Sequence, residues 1–505
     1  MRAYLASVLM GAILASTLFP LDFLLPRAGL DWRAAGDAAQ HAIAQRHFLA
    51  DAWRWPLLEL PTLVGANLAF MDGIPLLALP LKLLAPFLPE GFHGIGLFYA
   101  LAWVAQGPAT VFALRGFGER RLLPALAVAL MALSMPAFIM RFGHAALCGH
   151  FVLLAALGLY ARALGDARWW AAAIPFQVAA LLVHPYLALM ALAVLAAAPL
   201  TLLLRRRPWG RAAAGVAGAA AAMGAAMALL GYLGAAGEGG FGQYAMNLLS
   251  PAWPHRSWFL GGLVVAEVDA TGHGGWEGYN WLGLGLWAAL AAGLLLRRPR
   301  LRPHAGLALA CLGLLALAVS SRVGLGGTVL LELGPVPAVL EQFRASGRFF
   351  WPVAYALLLG AALLLAGAGR RGVAILLACA LLQFLDAIPA RAALRLWAQE
   401  RQPWTVEATA LRPLLRAAGS VTLVPAWPCV AKEDGPARVR LLELLLLGSE
   451  SPRPVNTAYV ARWRGEAPRC EAPGPLRPGE LRLVLPGWAP GASGCAPLGD
   501  LLVCR

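Results

Sequence analysis

Long apolar runs alternate with short polar connectors over the first 390 residues of the chain. The first run covers residues 3–26, and ten more follow after a polar loop. A run of about 20 apolar residues can cross the hydrocarbon core of a bilayer as a helix. The pattern therefore predicts about eleven transmembrane helices. The ten later runs lie near residues 94–114, 122–140, 145–161, 168–185, 187–204, 212–234, 281–296, 304–320, 350–368 and 372–388.

Two apolar stretches need a separate interpretation. Residues 3–26 would be a signal peptide if they were cleaved, but no A-x-A site follows a short apolar core, so we predict an uncleaved anchor. The stretch at residues 73–89 is short, contains Lys82 and is interrupted by prolines. We predict that this second stretch forms a juxtamembrane or re-entrant helix that does not cross the bilayer.

The arginines of the connectors orient the predicted helices. Five connectors are rich in arginine and contain only Glu119 and Asp166 as acids. Positively charged connectors stay in the cytoplasm, which places the N-terminus inside and residues 25–93 and 389–505 outside. The five connectors hold Arg115, Arg120 and Arg121; Arg162 and Arg168; Arg205, Arg206, Arg207 and Arg211; Arg297, Arg298, Arg300 and Arg302; and Arg370 and Arg371.

Composition supports a membrane protein and argues against a nucleic acid partner. Of the 505 residues, 60% are hydrophobic and 13% are charged, so the apolar surface exceeds what one soluble core can hide. The formal net charge of +15 would suggest nucleic acid binding in a soluble protein. Here the membrane topology of the connectors explains the positive charge. The predicted partner is therefore the lipid bilayer, and no nucleic acid is expected.

From about residue 390 the composition becomes that of a soluble domain. Residues 421–427 and 481–486 have the pattern of strands, and residues 437–448 have that of an amphipathic helix. The predicted fold class is mostly α, a polytopic helical membrane protein with a small α/β C-terminal domain. The transmembrane domain covers residues 1–389, and the extracytoplasmic α/β domain covers residues 390–505.

Four of the seven cysteines lie in this tail, at Cys429, Cys470, Cys495 and Cys504. An even number of cysteines in an outward-facing domain predicts two disulfides, because that compartment is oxidising. Four cysteines allow three pairings, and we predict Cys429–Cys470 with Cys495–Cys504, which closes two sequential loops. A zinc site is the alternative, although the tail has no C-x-x-C spacing.

The loop after the first apolar run is too polar to lie in lipid. A simple connector between two helices needs neither its length nor its chemistry. Between Asp31 and Asp72 its aspartates and histidines are interleaved with tryptophans, in the order Asp31, Trp32, Asp37, His41, His47, Asp51, Trp53, Trp55 and Asp72.

Several motifs carry a resemblance to a known class of enzymes. They are GDAAQH (36–41), FMDGIPLLALPLK (70–82), MNLLSP (246–251), WEGYNWLGLG (276–285) and FRASGRFFWP (343–352). With the long outward first loop and the extracytoplasmic C-terminal domain, the chain resembles an uncharacterised bacterial family of the GT-C superfamily. These membrane glycosyltransferases take sugars from polyprenyl-phosphate carriers. The resemblance implies an inverting glycosyltransferase of the bacterial inner membrane, with a periplasmic C-terminal domain, a polyprenyl-phosphate sugar donor and a glycan or lipid acceptor.

The resemblance assigns the catalytic carboxylate to Asp37, the position of the first loop that best matches the catalytic Asp of GT-C enzymes. Transfer from a lipid-phosphate sugar needs a carboxylate base that deprotonates the acceptor hydroxyl. Capping of a helix that begins near Ala38 is the alternative role for Asp37. Asp72 is predicted to bind substrate, and capping of the predicted helix that it precedes is the alternative role. His41 lies one turn after Asp37, where it would orient the base or the acceptor, or simply be solvated.

Four further residues are predicted to bind substrate. His144 begins a predicted transmembrane helix near the outer surface, and Glu277 is an acid beside another. Arg344 and Arg348 are four residues apart, so on a helix they would share a face and present two guanidinium groups to a phosphate. Interfacial snorkelling or salt bridges to Glu341 or Glu277 are the alternative roles of these arginines.

No cofactor is predicted, although the resemblance leaves room for a divalent metal at Asp37, Asp72 and a histidine, since some GT-C enzymes are metal-dependent. The alternative function is a transporter or flippase of a lipid-linked glycan. Ion-coupled transporters place ionisable groups or broken helices at mid-membrane. The predicted spans are almost free of charge, with His150 and Asp386 near span ends, and this favours the transferase.

Overall fold

The computed structural model describes residues 1–27, 36–237, 239–261, 278–460, 462–471 and 473–505. Within these ranges the fold is mostly helical. The helices up to residue 400 are α1 (Arg2–Leu18), α2 (Leu21–Leu24), α3 (Asp37–Ala50), α4 (Pro75–Leu84), α5 (Ile95–Gly116), α6 (Leu122–Leu133), α7 (Pro136–Ile139), α8 (Phe151–Ala163), α9 (Trp170–Val183), α10 (Pro185–Leu204), α11 (Gly210–Leu230), α12 (Leu284–Leu296), α13 (Ala305–Val319), α14 (Trp351–Gly367), α15 (Gly369–Asp386) and α16 (Ile388–Gln399).

Six helical segments of the described chain are long and apolar enough to cross a membrane, which identifies a membrane protein. A seventh would be the pair α15 and α16, which is bent by 44°. Four of the predicted spans contain shorter apolar helices, so the number eleven is not confirmed. The six long segments are Ile95–Gly116, Ala145–Ala163, Pro185–Leu204, Gly210–Leu230, Arg302–Val319 and Ser346–Gly367; the four shorter helices are Arg2–Leu18, Leu122–Leu133, Ala167–Val183 and Leu284–Leu296.

Small residues let the first helix pack closely on α5. A Cβ atom added at Gly11 of α1 would lie 2.4 Å from the carbonyl oxygen of Trp103. One added at Gly107 of α5 would lie 2.6 Å from the carbonyl oxygen of Ser7. Glycine is therefore required at both positions for the two backbones to approach this closely, as at many helix contacts in membranes.

The stretch at residues 73–89 forms the short helix α4 followed by one 3-10 turn, Ala85–Phe87. Ten α-helical residues span only about 15 Å, half of a hydrocarbon core. Lys82 is buried, donates a hydrogen bond to the carbonyl oxygen of Phe48 and lies 4.1 Å from the centre of its ring. Leu83 and Phe87 are 69% and 84% exposed, so the opposite side of this segment is apolar and uncovered.

The C-terminal region contains a small sheet and two helices. Its helices are α17 (Ala408–Ala417) and α18 (Gly435–Gly448). Strands in the rest of the described chain are short hairpins or single pairs. The strands are β1 (Glu59–Leu60), β2 (Ala66–Asn67), β3 (Ala235–Gly237), β4 (Arg322–Leu325), β5 (Thr328–Glu332), β6 (Ser420–Val424), β7 (Arg462–Arg464), β8 (Glu480–Val484), β9 (Cys495–Leu498) and β10 (Leu501–Cys504).

Four of these strands form the C-terminal sheet in the order β6-β8-β10-β9. The pair β6 and β8 is parallel, and the pairs of β10 with β8 and β9 are antiparallel. The two strands and the helix predicted in the tail correspond to β6, β8 and α18. The structure pairs Cys429 with Cys470 and Cys495 with Cys504, the same pairing that the sequence analysis predicts.

The first loop and the C-terminal region pack directly on each other. The amide Nε2 of Gln40 donates to the carbonyl oxygen of Tyr459 at 2.8 Å. The backbone N–H of Val455 donates to the carbonyl oxygen of Thr62 at 2.8 Å. Segments about 400 residues apart in the chain therefore meet at α3, the helix on which the site is built.

Candidate functional site

Two carboxylates and three histidines converge beside the start of α3. His144 Nε2 lies 3.2 Å from Asp37 Oδ2. His184 Nε2 lies 3.3 Å from Asp72 Oδ1, and His41 Nε2 lies 3.7 Å from Asp72 Oδ2. The five residues come from four separate segments of the chain, so their meeting is a product of the fold.

Asp37 is the first residue of α3, and Gly36 occupies the N-cap position with a φ of 53°. The capping role considered for Asp37 is therefore wrong. Its carboxylate instead faces two side chains from distant segments, since His144 contacts Oδ2 and the Tyr459 hydroxyl donates a hydrogen bond to Oδ1. The Asp37 side chain is 33% exposed, so it is also open to solvent or a ligand.

Asp72 follows the 3-10 helix Leu68–Met71 and has a left-handed backbone, with φ 49° and ψ 33°. It does not cap α4, whose N-cap is Ile74. Ile74 also has a positive φ, 53°, which is unusual for a β-branched residue. This tight turn aims the Asp72 carboxylate at His41 and His184.

Gln45, a fully buried residue of α3, holds this turn in place. Its Nε2 donates to the carbonyl oxygen of Gly73 at 2.8 Å, and its Oε1 accepts from the backbone N–H of Gly94 at 2.6 Å. One buried amide therefore ties the Asp72 turn and the start of α5 to α3. Because Asp37 begins that same helix, α3 sets the positions of both carboxylates.

His41 is fully buried and faces Asp72. Helical spacing predicts that His41 reaches Asp37, four residues earlier, but the histidine that contacts Asp37 is His144, so this prediction is wrong. The His41 side chain leaves α3 toward the Asp72 turn, which packs against that face. Within the described chain, neither ring nitrogen of His41 has a hydrogen-bond partner.

His184 was missed as a site residue because it was interpreted only as part of a turn between two helices. Its Nδ1 accepts a hydrogen bond from the backbone N–H of Tyr186 at 3.1 Å. The remaining hydrogen of a neutral ring must then be on Nε2, which faces Asp72. Burial lowers the pKa of His184, so the ring is neutral at pH 7. A histidine between two apolar runs, as at His144, was the available signal.

The Asp72 carboxylate is ionised in this environment. Burial by itself would raise the pKa of Asp72, but His184 and His41 outweigh it and hold that pKa well below its usual range. The side chain is still 27% exposed. A negative charge is therefore fixed in the cluster at neutral pH and remains reachable from outside.

Tyr459 brings the C-terminal region into the site. Its hydroxyl donates a hydrogen bond to Asp37 Oδ1, and its ring stacks on Trp427 with the centroids 4.4 Å apart. Burial and the nearby Asp37 charge raise the pKa of Tyr459, so the phenol stays protonated. Nothing in the sequence pattern pointed to this residue, which is 422 positions from Asp37.

Arg344 and Arg348 do not belong to the same helix. Arg348 belongs to the 3-10 helix Ser346–Phe350, is 9% exposed, and has its guanidinium 5.0 Å from the centre of the Tyr186 ring. Arg344 precedes that helix, so the predicted shared helical face is wrong. The charge of Arg348 acts on His184, and the charge of Arg344 acts on Tyr459.

The family description that matches this chain is a domain of unknown function, DUF6311, over residues 8–388. The chain belongs to the DUF6311 family. No curated protein matches it. In this DUF6311 protein the family match includes Asp37, Asp72, His144 and His184, whereas Tyr459 lies beyond it.

The structure thus brings together most of the residues predicted for the site of this DUF6311 protein. Glu277 lies outside the described residues. Chemically, the cluster offers two carboxylates, three imidazoles and a phenol, with two arginines at its edges. Among the residues that the structure describes, His41, Asp72 and His144 form a group that could hold a metal ion, since each offers one donor atom within 4.8 Å of the other two.

Proposed function

We propose that this DUF6311 protein is an inverting glycosyltransferase of the GT-C type, with Asp37 as its general base. It would move a sugar from a polyprenyl-phosphate donor to a glycan or lipid acceptor at the outer face of the bacterial inner membrane. The observation that carries the proposal is the position of the Asp37 carboxylate. Its Oδ1 accepts a hydrogen bond from the Tyr459 hydroxyl, and its Oδ2 is in contact with His144.

A base for glycosyl transfer must accept a hydrogen bond from the attacking hydroxyl at ordinary hydrogen-bond distance. Oδ1 of Asp37 already accepts a hydrogen bond from one hydroxyl, that of Tyr459. An acceptor hydroxyl that displaced it would meet the carboxylate in the same way. His144 would keep the carboxylate oriented during this exchange, since it contacts the other oxygen.

The arginines supply the charge that the departing phosphate requires. Arg348 is nearly buried beside Tyr186 and its charge acts on His184, whereas the charge of Arg344 acts on Tyr459. Guanidinium groups remain charged and bind phosphate oxygens by two parallel hydrogen bonds. A phosphate between the two arginines would lie beside the proposed base, as transfer needs.

The proposed topology has eleven crossings, and two contacts support it. Residues that touch must lie on one side of a membrane, so an even number of crossings separates them. Between Asp37 and His144 that number is two if α5 and α6 cross and the short helix α4 does not. Between Asp72 and His184, α8 and α9 add two more crossings. The cluster then lies outside, as the arginine connectors predict.

Contacts at the other end of the bundle agree with this topology. The rings of Phe117 and His304 lie 5.0 Å apart, and the Tyr160 hydroxyl is 3.1 Å from His304 Nδ1. These residues lie in or beside three of the connectors that their arginines place in the cytoplasm. Connectors assigned to one side therefore contact each other in the structure, which supports counting the shorter apolar helices as crossings.

Cysteine labelling tests this topology. We expect a membrane-impermeant maleimide to label Arg54→Cys and Lys432→Cys in intact spheroplasts, because both positions are exposed and proposed to be outside. Arg298→Cys, exposed on a proposed cytoplasmic connector, should react only after permeabilisation. Labelling of Arg298→Cys without permeabilisation, or protection of Arg54→Cys, would contradict the topology and remove the site from the outer face.

The proposed activity is tested by profiling envelope glycans with and without the gene. We expect one sugar substituent to disappear in the deletion strain and to return with the wild-type gene. The purified protein in nanodiscs should then transfer that sugar from its polyprenyl-phosphate form and release polyprenyl phosphate. An unchanged profile together with no transfer from a panel of polyprenyl-phosphate sugars would refute the proposal.

A further inference from the structure

We propose that His41, Asp72 and His144 bind one divalent transition-metal ion of the zinc class. The three residues come from α3, from the left-handed turn before α4 and from the connector before α8. This proposal rests on the donor set and on the burial of His41, and it does not depend on glycosyl transfer. It also differs from the metal set considered from the sequence, because Asp37 is not one of the three donors.

The spacing of the donor atoms suits a single ion after a small contraction. His41 Nε2 and Asp72 Oδ2 are 3.7 Å apart, and the three donors lie within 4.8 Å of one another. Donors of a tetrahedral zinc ion lie about 3.4 Å apart when each is about 2.1 Å from the metal. The first pair is therefore close to bound geometry, and the third donor would move inward by roughly 1 Å.

His41 gives an independent reason to expect a ligand. The side chain is fully buried, and neither of its ring nitrogens has a hydrogen-bond partner in the described chain. A buried polar group without a partner costs free energy, and native proteins rarely leave one. Its Nε2 is aimed at the Asp72 carboxylate, 3.7 Å from Oδ2. A cation between the two would satisfy both groups.

The residues around the three donors would orient them. His184 approaches Oδ1 of Asp72, which leaves Oδ2 directed toward His41. The Asp37 carboxylate contacts the His144 ring. A carboxylate bonded to a ligating histidine fixes the ring and raises its basicity, and such outer partners are common around metals. Asp37 would thus act on the ion through His144 while its other oxygen faces the Tyr459 hydroxyl.

The chemistry of the donors selects the class of ion. Two imidazoles and one carboxylate suit zinc and its neighbours, whereas magnesium and calcium prefer oxygen donors throughout. Three protein donors leave at least one coordination position open, as in catalytic rather than structural zinc sites. Asp72 and His144 are 27% and 14% exposed, so an ion can enter from the outer side of the cluster.

Zinc titration of the full-length protein tests this site. Protein in nanodiscs is stripped with a chelator and titrated calorimetrically with Zn²⁺ alone, and then with Mg²⁺ alone. We expect one Zn²⁺ per chain and Mg²⁺ binding at least about 100-fold weaker. Loss of an outer partner costs about 10–100-fold in metal affinity, so loss of the ligand in His41→Gln should cost about 100-fold or more.

His47→Gln is the matched control, because His47 is another fully buried histidine of α3 and lies outside the cluster. It should bind zinc like the wild type. If His41→Gln fails to fold, Asp72→Asn provides the second ligand variant, with the shape of the side chain retained. Equal zinc affinity in the wild type and a folded ligand variant would overturn the proposal. So would the absence of zinc binding, or Mg²⁺ binding as tight as Zn²⁺ binding.

Discussion

Asp37→Asn is expected to lower glycosyl transfer by about 1,000-fold, the middle of the range for loss of a general base. Asparagine keeps the shape of the side chain and can still contact the Tyr459 hydroxyl, but it cannot take a proton from the acceptor. The variant gene should therefore fail to restore the missing envelope sugar. The purified variant should transfer it at a barely detectable rate while still binding the donor.

Asp51→Asn is the control for this variant. Asp51 is the C-cap residue of the same helix, and its Oδ2 accepts a hydrogen bond from the Thr62 hydroxyl at 3.0 Å, away from the cluster. The same substitution there does not touch the site. Both variants should elute and melt like the wild type. If a folded Asp37→Asn protein kept most of its transfer rate, Asp37 would not be the base, whatever the fate of the zinc site.

The double variant Arg344→Ala, Arg348→Ala should bind polyprenyl phosphate about 100-fold more weakly. Each hydrogen bond to a charged group contributes about 1.5–3 kcal/mol, so losing one from each arginine costs about 3 kcal/mol or more. Because Arg348 is nearly buried on Tyr186, we expect it to cause most of the loss. Binding is measured with polyprenyl phosphate in nanodiscs, without any sugar.

Replacement by lysine separates charge from geometry. Arg348→Lys keeps the positive charge but loses the two parallel hydrogen bonds, so its affinity should fall between wild type and Arg348→Ala. Arg322→Ala removes an exposed arginine of the same connector, paired with Glu332 at 3.9 Å, and is expected to bind normally. Donor affinity that was unchanged in a folded double variant would exclude both arginines from the phosphate site.

Most residues of the site could be predicted from the sequence, but the contacts between them could not. The resemblance to GT-C enzymes pointed to Asp37. Asp72, His41 and His144 were predicted as site residues because polar residues are few in an otherwise apolar chain. Their pairing was not accessible in the same way. Helical spacing alone suggested Asp37 with His41, but the direction of each side chain depends on which segment packs against that face.

The remaining errors have similar causes. Arg344 and Arg348 were placed on one helical face, but the chain becomes helical only at Ser346. Asp37 does not cap α3 because that helix starts one residue earlier than this role needs, at Asp37 itself. Asp72 does not cap α4 because that helix starts two residues later than this role needs, at Pro75. Helix boundaries are decided by a single turn of hydrogen bonds, which tertiary packing shifts easily.

The sequence by itself determined the apolar helices and the strands and helix of the tail, and it predicted the observed pairing of the four tail cysteines from three possibilities. These depend on local hydrophobicity and on short or even spacing along the chain. Only the tertiary structure decided that Tyr459 meets Asp37, that His184 meets Asp72 and that His144 replaces His41 beside the proposed base. Such contacts join segments tens to hundreds of residues apart, and the packing of the whole chain, rather than any local pattern, selects them.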